Sequence, residues 1–230
     1  MPSSANVLIV SGLKREAAIL AAPGHMTLCG DTSTLRARLA EAARLRPSLV
    51  VSWGLCGGLD PRLRPGDLIL GAEVVSGEGA VRTDEALTLS LAQRLVGAGA
   101  RVVVERLAAS DAPVLTAAAK SDLRRATGAA GVDMESLIAG RYALEQRTPF
   151  AILRAVADPA ERDLPPLVTK AVNSDGGTDA VAVIGELIRS PGQFSGLRAA
   201  ARDSRAAFQA LERCRGLLPG LFLGLGAAEV

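Results

Sequence analysis

The stretch Gly131-Val-Asp-Met-Glu-Ser-Leu-Ile-Ala-Gly140 joins a short apolar run, Ala129 to Val132, to a segment of helical character, and places two acidic residues at the junction. Carboxylates at the first turn of a helix lie near its positive end and its unpaired N–H groups, so Asp133 and Glu135 can stay ionised and fixed in direction. A carboxylate held that way accepts well from a hydroxyl. Taken alone, Asp133 to Ser136 also describes an ordinary strand-to-helix junction with capping acids. The rest of the chain bears on that choice.

Upstream, Asn6 to Ser11 reads as a strand, followed by Gly12-Leu-Lys-Arg-Glu16 and a helix to Ala22. His25 to Cys29 is a second strand. The spacing of Leu35, Leu39, Ala42 and Leu45 predicts a helix capped by Asp31 or Thr32 and stopped by Pro47. Ser48 to Trp53 is a strand running into a glycine loop, Gly54-Leu-Cys-Gly-Gly-Leu-Asp-Pro61, whose glycines permit close approach of backbone to a ligand. Arg64 to Asp67 is a turn, Leu68 to Val75 a strand, Asp84 to Val96 a helix and Arg101 to Leu107 a strand. Thr116 caps a helix to Ala126 after a loop from Ser110.

Downstream, the helix of the central stretch runs to about Gln146. Pro149 to Val156 is continuous enough in apolar residues to be a strand buried on both faces, and it ends at Ala157-Asp158-Pro159-Ala160. Glu161 to Thr178 is long for a structureless connection and is a lid candidate. Helices are expected at Asp179 to Arg189 and Leu197 to Arg215. Alternating strands and helices imply an α/β fold, in which ligands bind beyond the carboxyl ends of the strands. Glu16, the Gly54 to Gly58 loop, Glu135 and Asp158 all fall at such ends.

Composition narrows the function. The 230 residues, 49% of them hydrophobic, suffice for one substantial core with no linker between two. A net charge of +2 with acids and bases interspersed gives no nucleic-acid footprint. Cys29, Cys56 and Cys214 are odd in number and far apart, which excludes a disulfide framework and a C-x-x-C metal site and fits a reducing cytoplasm. The single histidine, His25, leaves almost no material for histidine-based metal or triad chemistry. The first residues lack the basic region of a signal peptide, so export by that route is not expected.

Gly54-Leu-Cys-Gly-Gly-Leu with Pro65-Gly-Asp67, then Val132-Asp-Met-Glu135, then Arg154-Ala-Val-Ala-Asp158, in this order, resemble the nucleoside phosphorylase and nucleosidase superfamily over roughly residues 5 to 190. Gly-Gly-Leu-Asp-Pro-x-Leu-Arg-Pro-Gly-Asp, Val-Asp-Met-Glu-Ser, Ala-Asp-Pro-Ala and Arg189-Ser-Pro-Gly-Gln193 are most similar to its hopanoid-associated phosphorylases. The resemblance implies a three-layer sandwich with a central mixed, mostly parallel sheet, and cleavage of the N-glycosidic bond of a purine nucleoside, with adenine released from adenosylhopane. It implies no cofactor and no metal, with phosphate as a conceivable co-substrate, and a homo-oligomer, a dimer first of all.

Site residues follow by the same resemblance. Asp158 matches the acid that shares a proton with N7 of the purine, and Glu135 the acceptor for ribose hydroxyls. Met134 packs beneath the ribose, and Glu16 matches the carboxylate that deprotonates the attacking water in nucleosidases. Pro113 and Val114 lie where backbone reads the base edge, without the family's usual aromatic. Gly54, Leu55, Cys56 and Gly57 border the ribose and the nucleophile. A methylthioadenosine or adenosylhomocysteine nucleosidase, a small purine nucleoside phosphorylase and a non-catalytic nucleoside-lipid binding protein remain alternatives.

For the nucleophile the residues testify both ways. By the resemblance, Leu55 replaces a phosphate-binding serine and Ser52 an arginine, and Glu16 adds a charge that repels phosphate. Lys14, Arg15, Arg36 and the helix start at Gly30 to Ser33 could rebuild an anion site. Water is favoured modestly. Residues 1–195 form the expected α/β domain. In residues 196–230 a helix carries Leu197, Ala201, Phe208 and Leu211 on one face and Arg198, Arg202, Arg205 and Arg213 beside it, before the apolar Leu217 to Leu225. That segment belongs to the same domain or meets a partner or the inner face of the membrane; the expected location is cytoplasmic, or peripheral there.

Overall fold

The computed structural model describes residues 7–42, 44, 46–166, 173–177 and 194–217. The chain runs β1 (Val7–Ser11), α1 (Lys14–Ile19), β2 (His25–Cys29), α2 (Thr32–Ala42), β3 (Leu49–Gly58), β4 (Leu68–Ser76), β5 (Gly79–Arg82), α3 (Glu85–Gly97), β6 (Val102–Ala109), α4 (Ala117–Thr127), β7 (Gly131–Asp133), α5 (Ser136–Gln146), β8 (Phe150–Asp158) and α6 (Phe194–Cys214).

Strand alternation builds the layers. Val7 and Ile9 of β1, Val51 and Trp53 of β3 and Leu153 of β8 pack on one side with Ile19 of α1, Leu91 of α3, and Phe208 and Leu211 of α6. Their neighbours Leu8, Val10, Val50 and Ile152 pack on the other side with Leu35 and Leu39 of α2 and Tyr142 of α5. Successive side chains of a strand point to opposite faces, so a strand apolar at every position is covered by helices on both. The result is an α/β sandwich around a mixed, mostly parallel sheet.

The sheet order is β2-β1-β3-β7-β6-β4-β5, and β8 pairs with both β3 and β4. Strands β3, β8, β4, β6 and β7 therefore close a ring, in which β8 is parallel to β3 and antiparallel to β4.

Several expectations change. The Gly54 to Gly58 loop is strand: Gly54 pairs with Arg154 and Gly57 with both Asp158 and Val132, so these residues belong to two ladders rather than a turn. Asp158 is likewise the last residue of β8. A hairpin through Gly77-Glu78 adds β5, although a glycine opening a two-residue loop is a recognised hairpin signal. Helix α1 stops at Ile19 rather than Ala22; Pro23 has no N–H to return to the Ile19 carbonyl, and its ring would clash with that carbonyl in a continued helix. Helix α2 ends at Ala42; Leu45, the helix expected over 179–189 and most of the apolar tail lie outside the described residues. Thr116 caps α4, accepting from Ala119 N at 3.1 Å.

Helix α6 settles on its own sheet. Ala207, Phe208, Ala210, Leu211 and Cys214 are buried, whereas Ala201 is exposed. Phe208 and Leu211 thus belong to the core and are not available to a membrane. Among the described residues no helix is long and apolar enough to cross one.

Candidate active site

A cavity of about 410 Å³ opens at the carboxyl ends of β1, β3, β7 and β8. Glu16, Leu55, Cys56, Gly57, Pro113, Val114, Met134, Glu135 and Asp158 all line it, together with Gly30.

Glu16 reaches the cavity from the first turn of α1. Its Oε2 accepts from the backbone N–H of Gly12 (3.0 Å) and Leu13 (2.8 Å), and its Oε1 from that of Leu55 (2.9 Å). Leu13 is the residue before α1, so the carboxylate, three residues on, reaches back to cap its own helix. Burial pushes the Glu16 carboxyl up, against the lowering effect of Arg154 and the three amides. Gly54 makes room for it: a Cβ there would lie 2.7 Å from Glu16 Oε2.

The two acids of the central stretch divide the work. Asp133 Oδ1 accepts from Ser136 N at 3.1 Å and its Oδ2 accepts from Ser136 Oγ, so this carboxylate caps α5. Glu135 occupies the position before the helix without capping it, which leaves its carboxylate for the cavity. Its Oε2 lies 3.1 Å from Arg154 Nη1. Burial raises the Glu135 carboxyl to about 7; Arg154 opposes this, and the charges of Asp133 and Glu16 reinforce it.

Arg154 binds these carboxylates into one unit. It is fully buried, with Nε 2.6 Å from Asp133 Oδ2. That contact is ionic without hydrogen-bond geometry, since Nε has no hydrogen-bond acceptor. Nη1 donates to Leu55 O (3.2 Å) and Nη2 to Ser52 Oγ (2.6 Å). Ser52 is itself buried and does not line the cavity.

Asp158 arrives by a register shift. The β3–β8 ladder jumps from Cys56↔Val156 to Gly57↔Asp158, and a bulge of this kind lets two successive residues, Ala157 and Asp158, both border the cavity. Lys120 of α4, with no exposed surface, donates to Asp158 Oδ2, to Pro159 O (2.9 Å) and to Arg162 O (3.0 Å). Burial raises the Asp158 carboxyl, and the Lys120 ammonium works against that rise.

The expected anion site does not assemble. Lys14 pairs with Asp175, and Arg15 stacks 3.9 Å over the Phe208 ring with Glu212 at 3.5 Å. Arg36 lines a separate cleft with Arg141 and Glu145. Gly30 is in the right place, but the start of α2 beside it is already taken: Asp31 Oδ1 accepts from Thr34 N and Ser33 Oγ, each at 2.8 Å. The lid candidate, where described, is tied down. Leu164 N donates to Leu115 O (2.7 Å), Asp31 N to Ser174 O (2.8 Å) and Lys14 N to Gly176 O (2.9 Å). Leu164, Asn173 and Ser174 are cavity wall.

The sequence assigned no role to Arg154, which entered only as the first residue of a family motif, or to Lys120. For Arg154 a signal existed, a lone charge in an apolar strand covered on both faces. Lys120, in Ala-Ala-Ala-Lys-Ser-Asp, reads like any solvated helix base.

A family model described as the phosphorylase superfamily matches residues 3–189. Among solved structures, the futalosine hydrolase of Helicobacter pylori is similar at 12% identity and a TM-score of 0.67, covering 97% of each chain. A 5′-methylthioadenosine/S-adenosylhomocysteine nucleosidase of Colwellia psychrerythraea, solved with adenine, is similar at 15% identity and a TM-score of 0.66, covering 97% of this chain and 96% of that one. The corresponding nucleosidase of Campylobacter jejuni gives 14% identity and a TM-score of 0.61, covering 90% of this chain and 99% of that one. At such identities the solved structures speak to the fold alone, whereas the family model spans most of the chain. The chain belongs to the phosphorylase superfamily and is an enzyme of its nucleosidase/phosphorylase kind.

Proposed function

We propose that the chain cleaves the N-glycosidic bond of an adenine nucleoside carrying an apolar 5′ group, adenosylhopane before others, with water as the nucleophile. One observation carries the choice of water. Among the described residues, the cavity is lined by Glu16, Asp31, Asp133, Glu135 and Asp158 and by no lysine or arginine. A phosphate dianion needs convergent cations or free N–H groups; here the nearest guanidinium is engaged behind the carboxylates.

In this reading Glu135 accepts the ribose hydroxyls above Met134, and the backbone at Pro113 and Val114 meets the base. As the C1′–N9 bond breaks, the sugar gains oxocarbenium character. Glu16 takes a proton from the water whose oxygen bonds to C1′, and Asp158 delivers a proton to N7 of the departing adenine. Leu13, Leu55, Val132 and Leu164 give the cavity apolar walls that suit a hydrocarbon substituent.

Incubating the purified chain with adenosylhopane, with and without phosphate, tests this by free adenine, with Asp158→Asn as control. Phosphate-independent release that the control abolishes is the expected result. A requirement for phosphate, with a ribose-1-phosphate product, would overturn the choice of water. A second reading, a nucleosidase for 5′-methylthioadenosine or S-adenosylhomocysteine, draws on the fold shared with such nucleosidases and is separated by offering those nucleosides in parallel. The reading includes a cytoplasmic homodimer whose tail beyond Arg215 touches anionic membrane; truncation after Arg215 should then weaken sedimentation with anionic liposomes.

A further inference from the structure

We propose that Lys120 is a positioning residue for the reaction: its buried ammonium fixes the direction of the Asp158 carboxyl and governs when that carboxyl carries the proton the departing base requires. The inference rests on the proposed role of Asp158.

A lysine with no exposed surface loses the hydration of a compact, strongly solvated cation, and this is tolerated when every N–H finds an acceptor. Lys120 has three, Asp158 Oδ2 and the carbonyls of Pro159 and Arg162, which matches the three donors of an ammonium. The ammonium thus joins α4 to the end of β8 and to the turn beyond it. The turn is held from the other side, where Arg162 pairs with the buried Asp203 of α6, itself 3.1 Å from Arg202 Nε. Asp163 Oδ1 accepts from Ala117 N at 2.7 Å, which fixes the start of α4 against the same turn. Ala157, the neighbour of Asp158 in the chain, offers no side-chain donor of its own.

Among the described residues, the groups facing Asp158 are few. They are Lys120 from α4, Arg162 from the turn, Asp203 from α6 and the Cys56 thiol from β3. Among the described cations Lys120 alone bonds to the carboxylate directly. Without it a buried carboxyl loses the charge that favours ionisation and holds its proton to higher pH. With it, the carboxyl is kept ready to release a proton to a purine nitrogen.

The test titrates the Asp158 Cγ resonance in protein labelled with 13C at aspartate, in wild type, K120M and K120Q, with D158N for assignment. K120Q keeps an amide donor for the two carbonyls and serves where K120M does not fold. The expected result is a midpoint at least about one pH unit higher in either folded variant; a midpoint unmoved in a folded variant overturns the proposal. This arm needs no substrate, so its outcome is distinguishable from failure of the proposed function. Turnover supplies the second arm. The alkaline limb of kcat/KM should move up in K120Q. K120R, which keeps the charge but not the three-point grip, should lower kcat about tenfold with KM nearly unchanged. A K120R enzyme with wild-type kcat and pH profile would equally overturn it.

Discussion

A Cβ on Gly54 would stand 2.6 Å from Cδ of Glu16 and 2.8 Å from Nη1 of Arg154. The backbone there, at φ +152°, also lies where L side chains seldom go. Both facts make Gly54 the position through which a strand passes between a carboxylate and a guanidinium. Gly54→Ala should therefore displace Glu16, and we expect at least roughly a hundredfold loss of kcat/KM with a Tm lower by several degrees. Retained activity would show that Glu16 can shift without cost.

Arg154 neutralises a buried acidic group, with Asp133, Glu135 and Glu16 all acting on it. Arg154→Met leaves those carboxylates together in an apolar interior. Removing one partner of such an arrangement costs about 3–5 kcal/mol, which urea unfolding at pH 7.5 should register. Acidification should restore part of it by protonating the carboxyls.

Glu135 sets a sign for stability. Its folded value, about 7, lies above its ordinary 4.5, so the folded state binds the proton more tightly than the unfolded one. The associated stability is complete below about pH 4.5 and disappears as pH rises through 7. Glu135→Gln should flatten this decline, raising Tm at pH 8 relative to wild type while turnover falls. A wild-type Tm that does not drop between pH 5 and 8 would contradict it.

In the proposed reaction the same ionisation shapes catalysis, because Glu135 accepts from the ribose hydroxyls more strongly as a carboxylate. The acid limb of kcat/KM is expected near pH 7, far above an ordinary glutamate. Tracking adenine release from pH 5 to 9 reads it directly; a limb below about pH 5 would mean that Glu135 is ionised more easily than its surroundings allow.

Asp60 behaves oppositely. Arg62, which chelates it with Nη2 at 2.6 Å, and Arg124, at 2.8 Å, hold its carboxyl at about 2. Its contribution is present above about pH 4 and is lost as pH falls through 2. Since Arg62 is largely exposed, the effect is screened, and Asp60→Asn should cost only about 1–2 kcal/mol at pH 7 by chemical unfolding.

The order of strands and helices was legible because strands covered on both faces, such as Val7 to Val10, are continuous apolar runs, and because caps such as Thr116 announce helix starts. The positions of Glu16, Glu135 and Asp158 were legible as ends of strands. What escaped was pairing across the chain. The glycines from Gly54 to Gly58 look like a turn until β8 and β7 are set beside them, and their lack of Cβ answers to Glu16, Arg154 and Val132 rather than to a bend. Lys120 and Asp158 are 38 positions apart, and nothing local marks Lys120 as the base of its helix that is buried outright. Lys14, Arg15 and Arg36 failed for the converse reason: proximity in sequence did not bring them to one point.

The ring of β3, β8, β4, β6 and β7 bears on when the site comes into being. Its closing seam joins Val50 to Phe150, a contact that the chain reaches only after a long loop has lost its freedom. Glu16 needs Leu55, Arg154 needs Asp133, and Asp158 needs Lys120, and each of these partnerships depends on that seam or its neighbour. A partly folded chain would expose acids with ordinary affinities for protons. Chemistry should therefore appear in one step during refolding, together with protection of the β3 and β8 amides from hydrogen exchange, and no fragment should show a weakened form of it.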